Sequence, residues 1–289
     1  MQVHANPHAM PASGAPHARP QNMKPTQEHL SYLLRLADNA LILGQRNAEW
    51  CGHGPVLEED IALTNLSLDL IGQARMLYQH AAKLETDLTG ITKQEDDYAF
   101  WRDESAFRNW TLVELPHYGP TAGTTAAERD YAVTIVRNFL YSALMVEVWQ
   151  ALAQSADTEL AAIAAKSVKE AHYHLHHARD WLVRFGDGTE ESHRRAQAAL
   201  DYLMPYMNEI FKRDPLEDTV AAAGTGVAMA ELKDAWQATV NDALAEATLD
   251  APVGGAFESA GKFGRHSEHM SFLLGEMQGL ARQHPGATW

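Results

Sequence analysis

Residues 27–84 read QEHLSYLLRLADNALILGQRNAEWCGHGPVLEEDIALTNLSLDLIGQARMLYQHAAKL, and this stretch decides the fold. Leu30, Leu33, Leu34, Ala37, Leu41 and Gly44 recur at steps of three and four, which lays one apolar stripe along a helix. That helix is expected to run to about Trp50, where Cys51-Gly52-His53-Gly54-Pro55 breaks it with two glycines and a proline. Glu58-Glu59-Asp60 then puts negative charge on the first turn of a second helix, where the helix dipole favours it. Ile61, Leu66, Leu68, Ile71 and Leu77 carry the second helix to about Leu84. The result is one long helical hairpin.

A second hairpin follows. The pattern predicts a third helix over about 126–155 and a fourth over about 158–185, which Gly186-Asp187-Gly188 stops. Residues 85–126 between the hairpins carry short helical pieces within 95–107 and then Pro116, Gly119, Pro120 and Gly123, so they read as a crossover. Each of the four helices spans roughly 40 Å at about 1.5 Å per residue. Thr189 is placed to cap a fifth helix running to about Phe211. After a polar stretch, a sixth is expected over 228–246 and a last one over 261–283. No alternating strand pattern is present. The fold class is therefore all-α: a ferritin-like four-helix bundle with a long crossover and additional C-terminal helices, over residues 26–289. Residues 1–25, rich in Ala, Pro and His without an apolar run, read as a disordered tail rather than a signal peptide.

Composition narrows the function. The 289 residues hold 23 Lys and Arg against 38 Asp and Glu, a net charge of −15, which argues against nucleic-acid binding and against anionic lipid. Arg194-Arg195 and Lys212-Arg213 are the local basic pairs, and solvated charge is the expected role of each. The single Cys51 excludes an internal disulfide and a thiolate metal cluster, and is expected to be small and partly buried at a turn. No stretch is long and apolar enough to predict a transmembrane helix, and the expected compartment is the cytoplasm.

Ferritin-like bundles often hold two metal ions, bound by one Glu from each of two helices and a Glu-x-x-His pair from each of the others. A three-residue step is needed because it puts both ligands on one helix face. In the second helix, neither Asp69 nor Gln73 begins or ends such a pair, and in the fourth neither Glu170 nor His174 does. Glu-x-x-His occurs only at Glu114–His117, in the crossover, and at Glu190–His193, in the opening turn of the fifth helix. Folding the hairpins back sets Asp69 opposite Asp38 or Asn39, Glu170 opposite Ser142, and His174 opposite Asn138. Asp38, Asp69, Gln73, Glu170 and His174 are thus the candidates for a polar network where metal would otherwise sit, with Arg46 or Lys166 as candidate pairing cations. The other reading of the same residues is a di-metal oxidase with non-standard ligands. The remaining histidines of the fourth helix are expected at the surface or in that network.

These same residues carry a family resemblance. Tyr32–Tyr78, the run KEAHYHLHHARDWLVRFGDGTEESHRR ending at Arg195, and GRHSEHMSFLLGEMQGL through Pro285-Gly286 to Trp289 resemble the PaaC family, the structural, non-catalytic subunits of bacterial phenylacetyl-CoA 1,2-epoxidases. The resemblance covers residues 27–289 and implies a ferritin-like fold and a place in aerobic phenylacetate breakdown. It implies no catalytic, cofactor or metal residue in this chain. It places the di-iron centre in a PaaA-like catalytic subunit, and FAD and iron–sulfur in a PaaE-like, NADPH-dependent reductase, with a PaaB-like small subunit beside them.

Overall fold

The computed structural model describes residues 24–118 and 129–287. The expected tail over 1–25 lies outside the described residues save Lys24 and Pro25, and so do Gly119, Pro120 and Gly123 of the crossover. The four long helices are α1 (Gln27–Ala48), α2 (Leu57–Thr89), α5 (Tyr131–Leu152) and α6 (Thr158–Gly186). Short α3 (Glu95–Phe100) and α4 (Thr111–Glu114) lie in the crossover. The C-terminal part adds α7 (Glu190–Leu203), α8 (Met207–Phe211), α9 (Pro215–Ala222), α10 (Lys233–Glu246) and α11 (Glu268–Gln283). Among the described residues there is no strand, only an isolated bridge between Ala260 and Arg265.

Local chemistry sets the helix limits. The side chain of Thr26 accepts from the His29 N–H to cap α1, and Asp157 accepts from Glu159 and Leu160 to cap α6. Gly52, with φ +77°, turns the chain between α1 and α2. Cys51 lies in that turn and is exposed, not partly buried, because the tip of the hairpin projects beyond the packed faces of the two helices. Thr189 caps α7 as expected.

Several boundaries differ from the sequence reading for identifiable reasons. The third long helix starts at Tyr131 rather than 126, where the Asp130 side chain caps it. The expected fifth helix is interrupted after α7 by a 3-10 turn over Met204–Tyr206, because Pro205 has no N–H for the helical ladder. The expected last helix begins only at Glu268, since Gly264 turns left-handed at φ +78°. The polar stretch holds α9, which the sequence hid because its acids face inward: Arg35 of α1 pairs with Asp214 at 2.6 Å and Glu217 at 2.9 Å.

α1 packs antiparallel on α2, and α5 on α6; α6 also runs antiparallel to α2. It follows that α2 and α5 point the same way, so the chain must travel the bundle's length between them. That is the physical reason for the long crossover, and it makes the bundle ferritin-like. The close approach of α1 to α2 uses Gly44, where an added Cβ would stand 3.1 Å from Ile71. Helix α5 is the core helix. It is long and apolar enough to cross a membrane by length and composition, yet 94% of its apolar window is buried inside the protein.

The described part of the crossover is clamped at Glu114–His117. Buried Arg46 donates to the Glu114 carbonyl at 2.7 Å, and Arg137 of α5 donates to the Leu115 carbonyl. His117 sits between Trp50, Thr134 and the Arg46 carbonyl. Burial, then the charge of Arg137, holds its pKa well below the usual histidine range.

Candidate functional site

Four of the five residues singled out in the sequence meet at the contact between α2 and α6. Gln73 Nε2 donates to Glu170 Oε2 at 2.8 Å, and His174 Nε2 lies 3.0 Å from Asp69 Oδ2. Lys166, one turn before Glu170, stands 3.7 Å from its carboxylate. Further along the same seam, His177 Nε2 lies 2.8 Å from Glu59 Oε2, which also accepts from the Tyr131 hydroxyl at 2.5 Å. Burial works against a charged Glu59, but the Tyr131 and His177 hydrogen bonds outweigh it and lower its pKa. Glu170, His174 and His177 fall on one face of α6 because they are spaced by one turn or nearly so. His172 and His176 point outward and are exposed.

The fifth residue, Asp38, is not part of this group. Its fully buried carboxylate accepts from the Tyr78 hydroxyl at 2.5 Å, from the Arg108 N–H at 2.8 Å, and from the Arg102 guanidinium. Asp38 thus ties α1 to the crossover instead of facing Asp69. The reason is that α3 and the turn after it bring Arg102 and Arg108 over α1, an approach no local pattern encodes. Burial and the Asp38 charge together hold the Tyr78 hydroxyl protonated far above the usual range. On α5, Asn138 bonds to Asn47 of α1 at 3.0 Å, so it is turned toward α1 rather than toward His174.

The donor set at the bundle centre does not fit a di-iron centre. Such a centre needs inward carboxylates from all four helices. Here α1 offers an Asp already committed to Arg102, α5 offers Asn138 and Ser142, and the acids of α2 and α6 each face a neutral or imidazole partner. Asp69 is 38% exposed in its side chain while His174 is 3% exposed, so this pair sits at the edge of the core.

The two Glu-x-x-His spacings do not act as pairs either. Glu114 is buried and reaches His266 at 2.7 Å, whereas His117 turns toward Trp50 and Thr134. His193 Nδ1 contacts the Gly186 carbonyl at 2.8 Å, and Glu190 stays on the surface. The surface basic pairs are each neutralised locally: Arg194 and Arg195 by Glu191, Lys212 by Glu258, Arg213 by Asp218.

One grouping was invisible in the sequence. His29 of α1, His80 of α2 and Asp157 at the start of α6 converge and are buried. Burial raises the Asp157 pKa, but the His29 and His80 contacts outweigh it, so the carboxyl is held well below its ordinary range. Among the described residues this is the set of three or more such side chains arranged to hold a metal ion. Its members lie on three separate segments with no fixed spacing, so no sequence pattern joins them.

The chain matches known proteins over most of its length. The family model described as phenylacetic acid catabolic protein matches residues 10–289. The C component of the 1,2-phenylacetyl-CoA epoxidase of Escherichia coli (strain K12) is 42% identical over 259 residues, covering 90% of this chain and 98% of that protein.

Proposed function

This chain belongs to the phenylacetic acid catabolic protein family, and from that premise we propose that it is the structural subunit of a cytoplasmic phenylacetyl-CoA 1,2-epoxidase complex. In that role it supports a PaaA-like catalytic subunit that holds the di-iron centre and epoxidises the aromatic ring. A PaaE-like reductase with FAD and iron–sulfur supplies electrons from NADPH, and a small PaaB-like protein joins the assembly. This chain itself carries no catalytic group for the reaction.

The observation that supports this reading is the seam between α2 and α6. Its acids are satisfied by Gln73 and His174 across the helix contact, and Asp38 is tied to Arg102. For Asp38 to bind an ion it would have to leave Arg102, and the guanidinium would lose its counter-charge in a largely buried position. The rival reading, a di-metal oxidase with unusual ligands, needs Asp38, Asp69, Glu170 and His174 around one pair of ions. The placement of Asp38 beside Arg102 weighs against it.

The test is to purify the chain alone, measure its iron, and supply phenylacetyl-CoA, reductase and NADPH. The expected outcome is no di-iron content and no oxygen-dependent product until a PaaA-like subunit is added. Two irons per chain with turnover by the chain alone would reverse the assignment.

A further inference from the structure

A second polar convergence lies at the end of the bundle where α1 and α6 begin. His29 stands in the first turn of α1, His80 in the last third of α2, and Asp157 caps α6. They are 2%, 6% and 6% exposed. Nε2 of His80 is 2.5 Å from Asp157 Oδ2, and Nε2 of His29 is 3.1 Å from the same oxygen. The other oxygen, Oδ1, accepts from the Glu159 and Leu160 N–H groups at 3.0 and 3.1 Å. The helix start therefore fixes the carboxylate and leaves Oδ2 facing two imidazoles.

Hydrogen bonding accounts for His80, whose Nε2 bonds to Asp157 Oδ2, and leaves His29 over. The Nδ1 of His29 has no hydrogen-bond partner although the residue is almost wholly buried, and its Nε2 has only the 3.1 Å approach to Asp157 Oδ2. Its Nε2 approaches Asp157 without being aligned to it. An unpaired buried polar group of this kind costs about 1–3 kcal/mol and calls for a partner. One donor atom from each of the three residues lies within 4.8 Å of the others. Two imidazole nitrogens and one carboxylate oxygen are the donor set that borderline divalent ions take. Behind His80, the Glu159 carboxylate stands 3.4 Å from Nδ1, where an outer carboxylate fixes the tautomer of a ligating histidine.

We propose that His29, His80 and Asp157 bind one divalent transition-metal ion of the zinc class. The ion is a structural tie between three helices. It is separate from the seam that carries Gln73, since His80 lies two turns further along α2, about 10 Å along the axis. The site stands whether or not the chain is catalytic, because none of its residues belongs to the α2–α6 pairs.

The test uses the full-length chain, stripped with chelator and titrated with Co(II) and then Zn(II). Wild type is expected to bind one equivalent of Co(II) with visible d–d absorption, and Zn(II) is expected to displace it. Zn(II) at a hundredfold excess over its Kd is expected to raise the melting temperature by at least about 3 °C. Asp157→Asn keeps the cap oxygen, and His29→Gln leaves the α6 start untouched, so circular dichroism checks each fold independently. Each is expected to weaken binding at least about tenfold, a loss of about 1.4 kcal/mol, and to abolish the thermal shift. Gln73→Ala with Glu170→Ala is expected to keep the single equivalent. The proposal is overturned if wild type shows no saturable equivalent, or if folded Asp157→Asn and His29→Gln bind as wild type does. Iron held at the α2–α6 seam would instead count against the structural-subunit reading.

Discussion

His174 Nε2 on α6 lies 3.0 Å from Asp69 Oδ2 on α2, so an acid and an imidazole, both of metal-binding type, face each other across two helices. A ligand pair has both groups on one helix face, aimed at a third point. Here the groups are aimed at one another. On the proposed structural role, Asp69→Ala and Glu170→Ala are expected to leave turnover of the assembled epoxidase within about threefold of wild type. For Asp69→Ala the cost in stability is expected to stay at about 1 kcal/mol, because the Asp69 side chain is 38% exposed and solvent screens the pair. Loss of turnover in an assembled complex would revive the di-metal reading.

Asp38 is predicted to matter far more to stability than to chemistry. Its buried carboxylate is the counter-charge of Arg102 and also holds Tyr78 and the Arg108 N–H. Asp38→Ala leaves the guanidinium unpaired in the core and is expected to cost about 3–5 kcal/mol by urea denaturation. Asp38→Asn keeps one acceptor oxygen, for either the Tyr78 hydroxyl or the Arg108 N–H, and is expected to lose less. Equal losses for the two changes would contradict a charge-based role.

The bundle was legible because its information is local. Gly52, Gly54 and Pro55 mark one hairpin, and the three-four spacing marks α1 and α2 directly. Helix α9 was hidden because the acids before and within it, Asp214 and Glu217, look solvent-bound until Arg35 is placed against them from 179 and 182 residues away. Glu114 and His117 have the Glu-x-x-His spacing, but Pro116 lies between them, and the two side chains go to different partners. The α2–α6 register brings Gln73 to Glu170 and Asp69 to His174, whereas folding each hairpin on itself pairs α2 with α1. Spacing within a hairpin fixes the first contact; the second depends on how the two hairpins pack, which no local pattern carries.

The His266–Glu114 contact predicts a pH-dependent stability. Burial disfavours the charged ring, but the Glu114 hydrogen bond at 2.7 Å and the Glu114 charge outweigh it, raising the His266 pKa above 6.5. A raised folded value means that the pair's stabilisation is complete below the unfolded pKa and is lost as pH rises through the folded one. His117 has the opposite sign, so wild type and His266→Asn must be compared at each pH. The urea midpoint gap between them is expected to be largest near about pH 6 and to shrink toward about pH 9. A gap independent of pH would show that His266 acts by packing alone.

The outer face of α2 is the predicted contact with the catalytic subunit. Leu57, Ile61 and Leu68 are exposed, and they recur at helical steps along a face turned away from the core, with Ile71 at its edge beside α1. A row of large apolar side chains on an otherwise acidic chain is costly in water and is stabilised by a partner that covers it. Ile61→Glu with Leu68→Glu is expected to weaken assembly with a PaaA-like subunit at least about tenfold, or about 1.4 kcal/mol. The melting temperature of the isolated chain is expected to move by less than about 2 °C, since these side chains lie outside the core. Sedimentation of the mixed subunits reads the first effect and calorimetry of the chain alone reads the second. A complex that survives the double substitution intact would place the interface on another face of the bundle.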